Sequence, residues 1–235
     1  MILEKSGQVG GSLHLAGAPS FKKDDLALIG WYKKTLEQME IPVHFHTEAT
    51  EEEIEKYPHD IVIIATGSTP RVLKLPGKHT MYPAEKIFSK EVKPGRRTVI
   101  IGGGLVGCEL ALDLAMKGTK VTVLEALPEI LAAGSPVPHM NKIMLRDLLD
   151  YHGVKLIPGA KVCSIEGNTL YYIEGGQEQQ AEADTFVCAV GYVPNNQLYE
   201  KISLSQQEVY LLGDARRVKN IMYAIWDAYE LAGNL

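Results

Sequence analysis

Gly102, Gly104 and Gly107, together with Glu125, are the residues of this chain whose types and spacing can do chemistry. Glycine in the first place permits a tight turn, in the second lets the backbone come close to a bulky anion, and in the third lets a helix pack tightly on the preceding strand. A carboxylate about twenty residues further on is placed to accept hydrogen bonds from two vicinal hydroxyls. The chemistry on offer is binding: an anion resting on N–H groups at a helix N-terminus, with a diol held by an acid. Glycine turns also serve as plain packing devices, so the flanking elements decide between the two uses.

Those flanks are complete. Thr98-Val-Ile-Ile101 is an apolar strand, a helical run with Leu110, Leu112, Leu114 and Ala115 follows the turn, Gly118 stops it, and Lys120-Val-Thr-Val-Leu124 is a second β-branched strand ending in Glu125. This is the dinucleotide-binding βαβ unit in full. Gly103, Leu105 and Val106 complete a turn that would carry a pyrophosphate, and Glu125 would take the adenosine ribose. A carboxylate there repels a 2′-phosphate, so NAD(H) is expected over NADP(H). Arg96 and Arg97 precede the first strand and are expected in solvent rather than on a phosphate.

The chain has 235 residues, 46% hydrophobic and 23% charged, with a formal net charge of -5. That balance leaves no basic footprint for nucleic acid or an anionic membrane, and dinucleotides are the expected partners. No apolar run is long enough to span a bilayer and the N-terminus has no signal-peptide pattern, so a cytoplasmic home is expected. Cys108, Cys163 and Cys188 are scattered through apolar runs and read as small hydrophobes, without a metal site or disulfide framework.

The chain opens on Met1-Ile-Leu-Glu4-Lys5, which reads as a strand closed by an acid, and then a loop holding Gly10 and Gly11. Glu4 takes the place that Glu125 holds in the central unit, yet no strand and glycine turn precede it, so the chain is expected to be a fragment. A helix is expected after Asp24-Asp25, with Leu26, Ile29, Leu36 and Met39 apolar and Trp31 and Tyr32 in core and rim packing. A strand over 43–47 would put His44 and His46 on one face, without a third metal ligand nearby. Asp60 to Pro70 is an apolar strand entering a small-residue turn, Ala65-Thr66-Gly67, and 71–92 reads as a connection. Helical spacing marks 139–152, strands are expected at 154–157, 161–165 and 170–173, and Asp184 to Pro194 repeats the earlier strand-and-turn pattern through Gly191. A strand ending in Gly213-Asp214 leads to a helix over 220–232 with Ile221, Ala224, Ile225, Ala228 and Leu231 on one face.

The repeat of Asp60–Pro70 by Asp184–Pro194 implies an α/β chain of two nested Rossmann-like dinucleotide-binding domains. The outer domain, residues 1–94 plus 192–235, lacks its first βα unit, and the inner one spans 95–191. A central strand missing from the outer sheet would leave unpaired edges. The outer domain is therefore expected to be distorted, completed by a second copy as a homodimer, or both.

The Ala-Thr-Gly turn, the closing Gly-Asp and the nested folds resemble the two-dinucleotide-binding-domain flavoproteins. Ala16-Gly-Ala-Pro19, the 25–36 stretch with Trp31-Tyr32, and Gly213-Asp-Ala215 leading to Ala224-Ile-Trp-Asp-Ala-Tyr229 are similar to the C-terminal part of the 2,4-dienoyl-CoA reductase and enoate reductase group. That resemblance implies an NADH-dependent flavin oxidoreductase in which NAD(P)H reduces FAD here, and electrons then pass through an iron–sulfur cluster to FMN in a preceding barrel. It implies a nicotinamide nucleotide site at Gly102, Gly103, Gly104, Leu105, Val106, Gly107 and Glu125, with Gly191 facing it and Glu109 near the nicotinamide end. It implies an FAD site at Glu4, Gly10, Gly11, Ala65, Thr66, Gly67, Gly213 and Asp214, incomplete because the FAD phosphate turn is absent. No catalytic side chain is expected, because hydride transfer needs stacked rings and excluded water rather than an acid or base. Two alternatives stay open: a non-catalytic ADP-holding module, as in trimethylamine dehydrogenase, and a piece of a disulfide reductase or simple NADH oxidase.

Overall fold

The computed structural model describes residues 1–204 and 208–235. Two compact units share the chain: residues 1–69 with 192–235 form the outer one, and residues 70–191 form the inner one that interrupts it. The chain opens with β1 (Ile2–Leu3), α1 (Leu13–Ala16), α2 (Lys23–Gln38), β2 (Val43–His44), α3 (Glu51–Ile54), β3 (Val62–Ile64) and, at the junction, β4 (Ser68–Pro70). Next come β5 (Met81–Pro83), α4 (Ala84–Phe88), β6 (Arg97–Ile101), α5 (Leu105–Met116), β7 (Lys120–Glu125), α6 (His139–Tyr151), β8 (Lys155–Pro158), β9 (Lys161–Glu166), β10 (Thr169–Glu174), β11 (Gln177–Glu182) and β12 (Thr185–Cys188). The chain returns to the outer unit with β13 (Tyr192–Pro194), α7 (Gln197–Ile202), β14 (Val209–Leu211), a 3-10 turn (Gly213–Ala215) and α8 (Ile221–Asn234).

The inner unit is built on a parallel sheet in the order β5-β12-β6-β7-β8. Both of its faces are covered, as a parallel sheet requires. Ile100, Val121, Val123 and Val187 face one core with Cys108, Leu110 and Leu112 of α5 and Leu145 and Leu149 of α6. Val99, Ile101, Leu124 and Phe186 face a second core with Ile165, Leu170 and Tyr172 from the antiparallel sheet β11-β10-β9. The period-2 alternation along β6, Ile100 to one side and Val99 and Ile101 to the other, is the strand rule at work. Gly175 and Gly176 join β10 to β11 with φ of 57° and 81°, the double positive φ of a tight two-residue hairpin. Arg97, at the start of β6 and expected in solvent, is half-buried and pairs with Glu182 at 2.9 Å and Asp184 at 3.2 Å. The backbone N–H and then the guanidinium of Arg97 hold the Asp184 carboxyl below its ordinary range.

The units part at 69/70, not at the expected 94/95. Residues 71–92 are more than a connection: Met81 pairs with Phe186 and Pro83 with Cys188, making β5 an edge of the parallel sheet, while Ala84 and Ile87 are buried in the helix-side core. Arg71 N donates to Gly191 O at 2.9 Å, so the inner unit begins and ends at one place.

The outer unit holds its strands in separate pairs among the described residues: β1 with β2 and β14 with β3, both parallel, and β13 with β4. Its core is small, with Ile54, Ile64 and Ile202 buried and Leu3, Val62, Leu198 and Leu211 packed around them. Thr50 caps α3, its hydroxyl accepting from Glu53 N at 3.1 Å. Two helices depart from expectation. In α2 only Ile29 is buried, and Trp31 is 58% exposed rather than in the core, because α2 packs chiefly on the short α1. No residue of the tail helix α8 is fully buried: Ala224 and Leu231 are half-buried, with the 3-10 turn packed on the helix, while Ile221, Ile225 and Trp226 stay exposed. β2 ends at His44 and His46 turns into a left-handed conformation with φ 55°, so the two histidines do not share a strand face.

Candidate functional site

The strand order of the inner parallel sheet changes side between β6 and β12: the chain steps from β6 outward to β7 and β8, whereas β12 and β5 lie on the other side. Such a switch point opens a crevice at the carboxyl ends of the strands, where ligands bind in doubly wound sheets. The glycine turn follows β6 at that crevice.

Each glycine there answers to a different constraint. Gly102 has φ 109°, and a Cβ on it would lie 2.4 Å from Ala189 O after β12. A Cβ on Gly107 would lie 2.0 Å from Gly102 O, so helix and strand are in contact through bare backbone. A Cβ on Gly104 meets nothing within 4 Å, so that glycine keeps clear an open space rather than a packed one. Gly104 is the N-cap of α5, and the first helical bond is Cys108 N to Gly104 O at 3.0 Å. The N–H groups of residues 104–107 therefore precede the helical ladder, the arrangement that suits an anion at the first turn of a helix. Leu105 and Val106 lie half-buried on that first turn, and Glu109 half-buried on the second.

The Gly103 peptide is clamped from both sides. Its N–H donates to Glu125 Oε2 at 2.6 Å, and its carbonyl accepts from Leu131 N at 2.7 Å and from Cys108 Sγ at 3.3 Å. Glu125, 7% exposed at the end of β7, also accepts from Leu127 N through Oε1 at 2.8 Å. Each carboxylate oxygen retains a second lone pair, so the acid that orients the turn can also accept a ribose hydroxyl. The strap over 126–134 that supplies Leu127 and Leu131 was not foreseen. Leu131 is buried with φ 58°, a strained conformation for a bulky residue and one with no signal in the residue types. Gly191, φ 96°, follows β12 on the far side of the switch point.

Burial, reinforced by the negative charges of Glu125 and Glu109, pushes the Cys108 thiol up to about 12. At pH 8 its thiolate fraction is on the order of one in ten thousand. A disulfide reagent at pH 8 is expected to modify the half-buried Cys163 first, with Cys108 reacting only after denaturation. A fast-reacting Cys108 would show that the glycine turn opens.

In the outer unit the expected residues form turns that hold one another. Glu4 follows β1 and accepts from Ser6 N at 2.7 Å; Gly10 and Gly11, with φ of 113° and 48°, lead into α1. Ala65, Thr66 and Gly67 leave β3 in a turn stitched to Asn195: Thr66 Oγ1 donates to Asn195 O, Asn195 Nδ2 to Thr66 O at 3.1 Å, and Asn195 N to Gly67 O at 3.0 Å. Asp214, beside Gly213, accepts from Ser68 Oγ at 3.2 Å and from Lys219 N at 2.9 Å. Asp214 is thus a staple between two turns, whatever else it binds. Asn195 is the residue whose role the spacing did not reveal, because its partners lie far away in the chain.

The comparisons with known proteins point the same way. Residues 33–228 match the family described as pyridine nucleotide-disulphide oxidoreductase. Cinnamate reductase of Clostridium sporogenes is 37% identical over 234 residues, which cover 100% of this chain and 35% of that protein. A solved 2-naphthoyl-CoA reductase complex is 27% identical with a TM-score of 0.92, over 99% of this chain and 36% of that one. Histamine dehydrogenase from Rhizobium sp. 4-9, at 17% identity and a TM-score of 0.85 over 99% of this chain and 39% of that one, shares the fold. The chain spans about a third of the length of these relatives.

Proposed function

The chain belongs to the pyridine nucleotide-disulphide oxidoreductase family, and we propose that it is the nucleotide-binding region of an NADH-dependent flavin oxidoreductase of the dienoyl-CoA and enoate reductase kind. One observation carries the reading: Gly102 and Gly107 are packed against backbone while Gly104, the N-cap of α5, leaves room beside the first-turn N–H groups for a pyrophosphate to approach. When bound, the cofactors supply the chemistry, a hydride passing from C4 of a nicotinamide to N5 of a flavin.

The residues of the chain bind and orient. N–H groups of the Gly104–Gly107 turn hold the pyrophosphate of NAD(H), and Glu125 holds both the Gly103 peptide and the adenosine ribose. Gly191 keeps the far wall of the crevice free of side chain, and Glu109 stands toward the nicotinamide end. In the outer unit Glu4, Gly10, Gly11, Ala65, Thr66, Gly67, Gly213 and Asp214 serve FAD. No second G-x-G-x-x-G occurs in the sequence, so FAD has no such turn here for its pyrophosphate. The relatives' names, cinnamate reductase and 2-naphthoyl-CoA reductase, support an unsaturated carboxylate or thioester as final acceptor. That acceptor would be reached through FMN and an iron–sulfur cluster outside these residues. No described helix is long and apolar enough to cross a membrane, and a cytoplasmic setting fits. The open edges of the outer strand pairs suit pairing with a second copy.

The test is calorimetric titration of the chain with NADH, NADPH, ADP and FAD separately. Tight NADH, weak NADPH and little FAD are expected. ADP binding as tightly as NADH, with nothing added by the nicotinamide, would favour a nucleotide-holding module instead, and absence of any nucleotide binding would overturn the reading.

A further inference from the structure

The strap that follows β7 carries a charge arrangement which the binding of NADH does not use. Glu129 Oε2 lies 3.2 Å from Arg146 Nη2 and 3.6 Å from Lys142 Nζ. The two cations stand four residues apart on α6, hence on one face of the helix. Arg146 Nη2 also donates to Ile130 O at 3.2 Å, so the guanidinium is fixed to the strap itself.

The strap is in turn fixed to the ribose end of the glycine turn at three points. Leu127 N donates to Glu125, Leu131 N donates to Gly103 O, and Ile130 Cγ2 lies 3.0 Å from where a Cβ on Gly103 would stand. The positive charge of Arg146 is felt at Cys108, whose thiol touches Gly103 O. Two cations and one carboxylate are therefore anchored beside the acid that receives the adenosine ribose.

We propose that Glu129 is a selectivity residue of this site: by holding Lys142 and Arg146 it denies them to a 2′-phosphate and presents a carboxylate in their place. This inference rests on the glycine turn being a nucleotide site. A 2′-phosphate seeks charge-assisted hydrogen bonds from Arg or Lys. Here the candidate donors are already neutralised, and their partner repels the newcomer. Glu125 adds its own charge, but its two oxygens each accept a backbone N–H, whereas the Glu129 side chain is 62% exposed and acts through charge alone. The Glu129 end of both pairs is exposed and the cations are half-buried, so Glu129→Gln breaks the pairs at little cost to stability.

The experiment measures dissociation constants of the full chain for NADH and NADPH by fluorescence titration. It uses the wild type, Glu129→Gln, the double variant Glu129→Gln with Arg146→Gln, and Glu178→Gln as a remote control on exposed β11. Glu129→Gln is expected to lower the NADPH-to-NADH ratio of dissociation constants about tenfold, with NADH itself changed less than twofold. The double variant is expected to return the ratio toward wild type, Glu178→Gln to leave it unmoved, and added salt to shrink the gain. An unchanged ratio in Glu129→Gln, with NADH still bound, overturns the proposal; a similar change in Glu178→Gln would assign it to net charge and overturn it as well. Wild type that binds neither nucleotide would instead overturn the reading of the glycine turn.

Discussion

Gly107→Ala is expected to destabilise the inner unit by about 3 kcal/mol and to abolish NADH binding, while Gly104→Ala leaves the fold intact and weakens binding alone. The difference lies in what a single methyl group meets. At Gly107 it would stand 2.0 Å from the carbonyl oxygen of Gly102, which is backbone and cannot rotate aside. Either α5 lifts from β6 or the turn changes shape. Lifting α5 disturbs Cys108, Leu110 and Leu112, all in the helix-side core. At Gly104 the methyl group enters open space. It raises no internal clash, but occupies the volume into which a pyrophosphate must come to reach the first-turn N–H groups. Loss of charged hydrogen bonds there is expected to weaken NADH roughly 10- to 100-fold. Thermal melting and nucleotide titration of the two variants check this directly. A Gly104→Ala protein that melts like Gly107→Ala would mean that the open space is filled by the chain in solution.

The second large effect is expected at Glu125, where the near-isosteric glutamine is almost as damaging as alanine. The two carboxylate oxygens accept from Gly103 N and Leu127 N in a site 7% exposed. An amide presents one oxygen and one NH2, so in either orientation a donor faces a backbone N–H. One N–H is left without an acceptor, at about 2 kcal/mol if it is the buried Gly103 N–H; alanine frees both and leaves a small void, but the Leu127 N–H is only part-buried and can turn to water, so the cost is about 3 kcal/mol. NADH affinity is expected to fall in Glu125→Gln and the NADPH-to-NADH ratio of dissociation constants to narrow, because the turn that both nucleotides share is disturbed while the charge that repels a 2′-phosphate is gone. Denaturant unfolding with titration of both nucleotides provides the check. A Gln variant as stable as wild type would show that the carboxylate does not orient the Gly103 peptide.

The inner βαβ unit was legible because its signals are local. β-branched runs, a glycine turn and an amphipathic stretch each state their element within a few residues. β5 was not, since Met81-Tyr-Pro83 is short, carries a proline, and is a strand only because Phe186–Cys188 lie beside it. β11 was missed for the opposite reason. Gln-Glu-Gln-Gln-Ala-Glu has no apolar alternation, because almost the whole strand faces water, and it is held by its register with β10. The glycines and Glu125 were read from spacing, but the strap was not. Leu131 in a left-handed conformation and Arg146 on the next helix act through contacts that no spacing encodes. In the outer unit the apolar periodicity of α2 and α8 was real, yet periodicity says which face is apolar and not what covers it. Ile221, Ile225 and Trp226 remain exposed.

The hydrogen bond between Arg71 N and Gly191 O bears on how the outer fold tolerates so large an interruption. Closing a flexible loop costs an entropy that grows with its length. An insert that folds by itself and delivers its two ends within one hydrogen bond of each other has already met that cost from its own cores. To the chain that resumes at Tyr192, the whole inner unit counts as a tight turn rather than a long excursion.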